Sequence, residues 1–258
     1  MFVVIGIILV VALVLVFFLR DQLTAAIRQT PTNNQEYLSG QLEDIQNEVG
    51  RCVNSETQNG IKLLIKNGGN FERNTSYINY LNINYPVMCS EFENSKGCLA
   101  QMFLISDLKT KLENDLPNKI NKCLELDSFR NKDYDFTEGE TSLNIEILDD
   151  HLIINLNKLF ELNRSSVVVR DEDFTYKIDA PLGDLVAGAN KLIQTKASGE
   201  EINPALFSIL TQNKYRLHVE KSYPDELYDL SVNGNDNYHL YFAILNNGRY
   251  ERAEGRLK

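Results

Sequence analysis

The chain has 258 residues, with 36 acidic and 26 basic side chains and a formal net charge of −10 at neutral pH. This charge disfavours a nucleic-acid partner, because phosphates demand clustered Lys and Arg. The residues that follow an apolar leading segment are numerous enough to bury one sizeable core or two small ones.

The leading segment, Met1 to Leu19, contains no charged residue and no Asn, Gln, Ser or Thr. As a helix it spans about 28 Å, close to the hydrocarbon thickness of a bilayer. A cleavable signal peptide is the alternative, but its apolar stretch is normally shorter and ends at a small-residue site. The sequence therefore predicts a transmembrane anchor at residues 1–19 that contacts the lipid bilayer. A stalk at residues 20–34 follows, in which Pro31 is predicted to break the helix.

Four cysteines follow the anchor, and none forms a C-x-x-C pair: Cys52, Cys89, Cys98 and Cys123. Two disulfides in an oxidising compartment fit this pattern better than a zinc site or four free thiols. Asn74 and Asn163 begin N-x-[S/T] triplets, which are glycosylation acceptors outside the cytoplasm. By charge alone, Arg20 and Arg28 favour a cytoplasmic location for the residues after the anchor. The cysteines favour the opposite orientation, and the prediction follows them. The sequence predicts a single-pass cell-membrane protein with an extracytoplasmic C-terminal domain.

The region 35–130 is predicted to be helical and to carry the disulfides. Apolar residues recur with a period of 3.6 over 35–66, and Gly68 and Gly69 supply a left-handed stop. A second helix is predicted from Ser106, as N-cap, to about Leu124, with Pro117 kinking or dividing it. The apolar stripe of the second helix consists of Leu108, Leu112, Leu116, Ile120 and Cys123.

Each predicted helix carries one cysteine on its apolar stripe. If the two helices pack face to face, Cys52 and Cys123 become partners, and Cys89 and Cys98 form a local staple. This is one of three pairings that four cysteines allow. In the chain-entropy model, a crosslink closing a loop of about 70 residues contributes roughly 4 kcal/mol.

The region 131–246 is predicted to be rich in β-strands. Alternating apolar residues predict a hairpin with strands at 141–148 and 151–157 and one or two strands over 165–182. A helix is predicted at about 181–197, and a shorter one begins after Asn203 and runs through Leu210. The remaining strands are predicted at 215–221, 226–232 and 237–245, followed by a charged tail at 247–258.

The predicted fold class is therefore α+β: a single N-terminal transmembrane helix, a long-helix half that carries the disulfides, and a β-rich half with one or two packed helices. A domain boundary at 128–135 and a single fused domain are both consistent with the pattern.

The sequence predicts no catalytic, cofactor-binding or metal-binding residue. None of the usual catalytic or phosphate-binding motifs surrounds the three histidines, His151, His218 and His239. Two groups of oxygen ligands lack the spacing of a calcium loop and are interpreted as solvated turns. The first group is Asp171, Glu172 and Asp173, and the second is Asn233, Asn235 and Asn237.

A stretch of interleaved tyrosine and asparagine precedes Pro86. Its members are Tyr77, Asn79, Tyr80, Asn82, Asn84 and Tyr85. Tyrosine and asparagine together are typical of protein-recognition surfaces, because Tyr adds contact area at low entropic cost and Asn bonds adaptably. An ordinary half-buried strand is the alternative interpretation.

Four segments carry a resemblance to a known group: "FVVIGIILVVALVLVFFLRD", "EVGRCVNSETQNGIKLLIKNGGNF", "LPNKINKCLEL" and "YHLYFAIL". With these, the chain resembles uncharacterised membrane-anchored surface proteins of small-genome archaea that have a type IV pilin-like N-terminal hydrophobic segment. The resemblance implies an envelope location but no activity and no site residues. The chain lacks the basic prefix of that group and an acidic residue near position 5, and Pro31 interrupts the helix, which disfavours a filament.

The sequence therefore predicts a non-catalytic, membrane-anchored extracytoplasmic protein for binding or envelope structure, with a protein partner or self-association. A pilin-like subunit of a surface filament and an envelope hydrolase are the alternatives. The hydrolase requires a nucleophile or carboxylate close to one of the histidines.

Overall fold

A computed structural model describes residues 2–71, 76–91, 97–130, 132–222 and 225–246, without the side chains of residues 2–32, 91 and 222. The predicted anchor at 1–19, the acceptor Asn74 and the tail at 247–258 lie outside the residues whose side chains are described. Among those residues, no helix is both long and apolar enough to cross a bilayer.

The described chain has an α+β fold, as predicted. Its helices are α1 Phe2–Lys66, α2 Ile105–Cys123, α3 Asp127–Arg130, α4 Leu182–Ala197 and α5 Pro204–Leu210. Its strands are β1 Tyr77–Tyr80, β2 Ile83–Glu91, β3 Cys98–Ala100, β4 Asp135–Glu138, β5 Ser142–Ile147, β6 Leu152–Arg164, β7 Val167–Ile178, β8 Tyr215–Ser222, β9 Asp225–Val232 and β10 Asn235–Leu245. The strands form two sheets.

The larger sheet has the order β1-β2-β10-β9-β8, and β3 also pairs with β2. β10 runs parallel to β2, whereas the other neighbours in this sheet are antiparallel. In the smaller sheet, β6 pairs with β5 near its start, with β4 near its end, and with β7. The predicted hairpin around Asp149 and Asp150 is confirmed as β5–β6.

The chain forms two compact units, and each is discontinuous in sequence. Unit 1 comprises Met1–Glu48, Glu125–Glu140 and Lys158–Glu172. Unit 2 comprises Val49–Leu124, Thr141–Asn157 and Asp173–Lys258. Both units therefore take segments from the predicted helical region and from the predicted β-rich region.

In unit 2, the C-terminal part of α1, from Val49 onward, packs against α2 along their apolar stripes. A Cβ atom on Gly60 would lie 3.4 Å from the Leu116 side chain, so the two helices approach closely. Cys52 is bonded to Cys123, with 5.7 Å between their Cα atoms, and it is completely buried. The second bond joins Cys89 to Cys98. This is the pairing that the apolar stripes favoured.

Two details of the predicted helices differ in the structure, the N-cap of α2 and the break at Pro31, and one of the two alternatives for Pro117 is excluded. Helix α2 begins one residue earlier, after Leu104, and no side chain caps it, so the prediction of Ser106 as N-cap is wrong. Pro117 lies inside α2 without dividing it, and α1 likewise continues through Pro31. A proline removes one helical hydrogen bond, and in α2 the fully buried Leu116 and Ile120 hold the helix against its neighbours on both sides of the proline.

Unit 1 has its own small core. The rings of Phe136 and Phe160 stack with centroids 6.3 Å apart. The Lys158 ammonium is almost completely buried, and it lies 3.1 Å from a Glu138 carboxylate oxygen and donates to the carbonyl of Gly139. Burial raises the pKa of Glu138, but the hydrogen bonds and charges of Lys158 and Arg130 outweigh it and lower the pKa overall.

The β1–β2 turn has a strained residue at its tip. Leu81 and Asn82 have φ values of 48° and 64°, and the Leu81 side chain is 78% exposed. Asn tolerates this left-handed region, but a leucine is strained by about 1–2 kcal/mol. We expect Leu81→Gly to raise the free energy of unfolding by about 0.5–1 kcal/mol after the entropy cost of glycine. Urea unfolding of Leu81→Gly and of the control Asn82→Gly, where we expect a smaller gain, checks this.

Candidate functional site

Three adjacent strands of the larger sheet, β8, β9 and β10, bring polar and aromatic residues to one face in unit 2. Across β8, β9 and β10, Arg216 lies opposite Ser231 and His239, and the next pair of positions brings His218 opposite Asp229 and Tyr241. Side chains at directly opposed positions point to the same face of a sheet. Together with Glu220 on β8, these residues define what we call the sheet face: Arg216, His218, Glu220, Asp229, Ser231, His239 and Tyr241.

Asp229 and His239 form a short polar contact on the sheet face. The His239 Nδ1 atom lies 2.7 Å from the Asp229 carboxylate, and both side chains are about one quarter to one third exposed. The imidazole ring is nearly parallel to the ring of Tyr241, at 12° and 5.8 Å. Tyr241 in turn meets the edge of Tyr85 at 5.5 Å. The result is a continuous aromatic strip with a carboxylate beside it.

The tyrosines of this strip are neutral hydrogen-bonding groups. Burial, followed by the negative charge of Asp229, raises the pKa of both Tyr85 and Tyr241. Both phenols therefore keep their protons at neutral pH.

Each histidine has a carboxylate neighbour. The condition that the hydrolase alternative requires, a nucleophile or carboxylate close to a histidine, is therefore met. His151 lies 2.6 Å from Asp150 beside the β5–β6 turn, and His218 lies 3.9 Å from Glu220. Ser231 is opposite His239, but it is only 2% exposed, and among the described side chains no hydrogen bond joins the two. A buried hydroxyl is poorly placed to attack a substrate from solvent.

The predicted tyrosine and asparagine stretch forms a hairpin next to the sheet face. We call residues 77–85 the Tyr/Asn hairpin. Its strands pair in register, and the Asn79 amide donates to Asn84 across the pair at 2.8 Å. Tyr80 and Ile83 pack with Tyr85 on a cluster that includes Leu227 and Ala243. The hairpin is thus held on one side by apolar contacts.

The other side of the Tyr/Asn hairpin is open to solvent. Tyr77 is 42% exposed and Leu81 is 78% exposed. Residues 76–90 contain no charged side chain, in a chain where a quarter of the residues are charged. An uncharged stretch with exposed Tyr and Leu is typical of a surface that loses contact with water on binding.

The remaining predicted sites are placed as follows. Asn163 lies in β6, opposite Asp135 of β4, and is half-buried. The prediction that Asp171, Glu172 and Asp173 form a solvated turn is wrong, because all three lie within strand β7. Asn233 lies in the β9–β10 turn and donates to the carbonyl of Asn213. Within the described residues, no group of three or more His, Cys, Asp or Glu could hold a metal ion.

The sheet face was not predicted from the sequence, although a signal existed. In three consecutive predicted strands, polar residues occupy alternate positions, as with Arg216, His218 and Glu220 in β8. A strand with polar residues at every second position exposes one face to solvent. Three such strands in succession indicate an open polar face.

Comparisons of the chain with protein-family models, with curated proteins and with solved structures find no match.

Proposed function

We propose that this chain is a non-catalytic, membrane-anchored protein of the cell exterior that binds a protein partner through the Tyr/Asn hairpin. The observation that carries the proposal is Leu81, a leucine held in a left-handed conformation and 78% exposed at the hairpin tip. Strained, exposed residues concentrate at functional sites, because nothing in folding alone favours them.

Two features support an exterior location. All four cysteines are joined in disulfides, which persist in oxidising compartments and are rare in the cytosol. The apolar leading segment, residues 1–19, has the length and composition of a membrane anchor. Together they favour a body held at the outer surface of the membrane.

A photo-crosslinking experiment on whole cells tests both parts of the proposal. With p-benzoylphenylalanine in place of Leu81, we expect irradiation to give a protein adduct, because the replaced side chain lies in the binding surface. We also expect external protease to remove that adduct from intact cells. The same amino acid in place of Val168 is the matched control, because Val168 is an exposed β-branched residue of unit 1, whereas the hairpin belongs to unit 2.

Equal adduct yields at positions 81 and 168 would refute the binding surface. The exterior location would be refuted by two results together. The adducts and the chain would survive protease on intact cells, and the cysteines would react with alkylating reagents before reduction.

The pilin-like subunit is a second candidate, and one observation favours it. Helix α1 is a single element from Phe2 to Lys66, so the interruption at Pro31 that counted against a filament does not occur. A continuous helix could pack against copies of itself along its apolar leading segment. Negative-stain microscopy of material sheared from cells separates the candidates, since filaments that contain this chain would favour the subunit.

A further inference from the structure

We propose that strand β1 pairs antiparallel with β1 of a second copy of this chain, so that the larger sheet continues from one copy into the other. The inference rests on the proposed function, because it uses the Tyr/Asn hairpin as the binding surface and names its partner. Four observations lead to it: the free backbone groups of β1, its lack of charge, the acidity of the whole chain, and the positions of the exposed side chains.

The backbone of β1 has hydrogen-bonding groups that point away from the sheet. The Val87 amide donates to the Ser76 carbonyl at 2.8 Å, in register with the β1–β2 pair. In an antiparallel ladder, alternate residues bond to the same neighbour. Ser76, Ile78 and Tyr80 therefore face β2, whereas the N–H and C=O groups of Tyr77 and Asn79 face the outer edge. Among the described strands, none pairs with that edge.

The outer edge of β1 lacks the charges that normally prevent edge pairing. Proteins protect exposed strand edges with charged side chains. The opposite edge of the same sheet, β8, is protected in this way by Arg216, Glu220 and Lys221. The β1 sequence, YINY, contains no charge. β1 is therefore the unprotected end of this sheet.

The charge of the whole chain favours an uncharged edge such as this one for contact with a second copy. Two molecules that each carry a net charge of −10 repel one another over most of their surfaces. The uncharged stretch 76–90 is where two copies can approach without opposing like charges. A two-fold axis, which is the commonest symmetry of dimers, brings the same stretch of both copies together.

A two-fold axis at Asn79 gives complementary contacts. It places Asn79 opposite Asn79 of the second copy, where both backbone N–H groups find the facing carbonyls. Ile78 of one copy then lies opposite Tyr80 of the other, and the exposed Tyr77 of one copy lies beside the turn that holds the exposed Leu81 of the other. Cross-strand pairs of an aromatic and an aliphatic residue stabilise antiparallel sheets.

Cysteine crosslinking in the full chain, purified in detergent, tests this register. In Asn79→Cys the new thiols of two copies are adjacent, and we expect a covalent dimer on a non-reducing gel. Asn82→Cys is the matched control, because its thiols would be about 20 Å apart across the same axis. All variants keep the leading segment, so association of that segment contributes equally to each.

A charge at the axis should have the opposite effect. We expect Asn79→Lys to raise the dimer dissociation constant about tenfold or more, because it sets like charges directly opposite each other. Asn237→Lys adds the same charge at another exposed position and should leave the constant unchanged. Mass photometry over a dilution series measures both, and circular dichroism verifies that each variant is folded.

Equal crosslinking of Asn79→Cys and Asn82→Cys, or of neither, would overturn the proposed pairing. So would equal dissociation constants for the two lysine variants. If position 81 crosslinks on cells to a different protein while no dimer forms, the second copy is refuted as the partner and the proposed function stands. If position 81 gives no adduct but the dimer forms with this register, the proposed function on cells fails and the pairing stands.

Discussion

Replacing Cys52 and Cys123 together by alanine is expected to lower the free energy of unfolding of unit 2 by about 4 kcal/mol. The bond closes a loop between residues 71 positions apart, so its removal restores a large conformational freedom to the unfolded chain. The loss is a large part of the stability of an ordinary domain. It should appear as a fall in melting temperature of roughly 8–16 °C, measured by circular dichroism in detergent.

The second disulfide provides the control for this prediction. Cys89 and Cys98 are only nine positions apart, and in the same entropy model their replacement by alanine costs about 2.7 kcal/mol. We therefore expect the double variant at 52 and 123 to melt below the double variant at 89 and 98. The reverse order would show that the long-range bond is not the main crosslink of unit 2.

Glu226→Leu is expected to cost about 3–5 kcal/mol, because it leaves a buried charge without a partner. The Lys196 ammonium lies 2.8 Å from the Glu226 carboxylate, and the two side chains are 11% and 14% exposed. The Tyr228 hydroxyl also donates to this carboxylate. Urea unfolding of the variant measures the loss.

Removing all three polar groups at once should restore most of the stability. Well-packed apolar groups often replace a buried ion pair at little cost. We therefore expect the triple variant Lys196→Met, Glu226→Leu, Tyr228→Phe to lie within about 1 kcal/mol of the natural chain. If the triple variant is as unstable as Glu226→Leu, the loss of stability in that single variant does not come from leaving the buried Lys196 charge without a partner.

The same carboxylate gives a pH dependence of known sign. Burial raises the pKa of Glu226, but the hydrogen bonds from Lys196 and Tyr228 and the charge of Lys196 outweigh it and lower the pKa below its ordinary value of 4.5. A lowered pKa in the folded state stabilises the fold above pH 4.5, and this contribution is lost as the pH falls through the lowered value. Relative to the triple variant, the natural chain should therefore lose stability in acid.

Much of the helical structure was predictable because it depends on local pattern. The 3.6 period located the packed parts of α1, α2 and α4, and Gly68 and Gly69 end α1 with φ values of 68° and 84°. The disulfide between Cys52 and Cys123 followed from the same pattern, since each cysteine continues an apolar stripe. The prediction of a break at Pro31 was wrong, because a helix can lose the one hydrogen bond that a proline removes and still continue.

The sheets were less predictable, because strand order is not local. The alternation located β8, β9 and β10, but nothing in it shows that β10 lies beside β2, or that β4 joins the end of β6. The sheet face depends on these neighbours: His239 and Asp229 are ten positions apart, and only the β9–β10 register brings them within hydrogen-bonding distance. For the same reason, the open edge of β1 could not be identified before the sheet order was known.

The parallel pairing of β10 with β2 also determines the order in which unit 2 can assemble. β10, the last strand of the described chain, lies between β2 and β9, so two sheet edges stay open until residues 235–245 have left the ribosome and any export channel. Contacts of such long sequence separation form slowly. During biogenesis, the nascent chain therefore exposes aggregation-prone strands for a long interval, which is the period in which a chaperone would have to protect it.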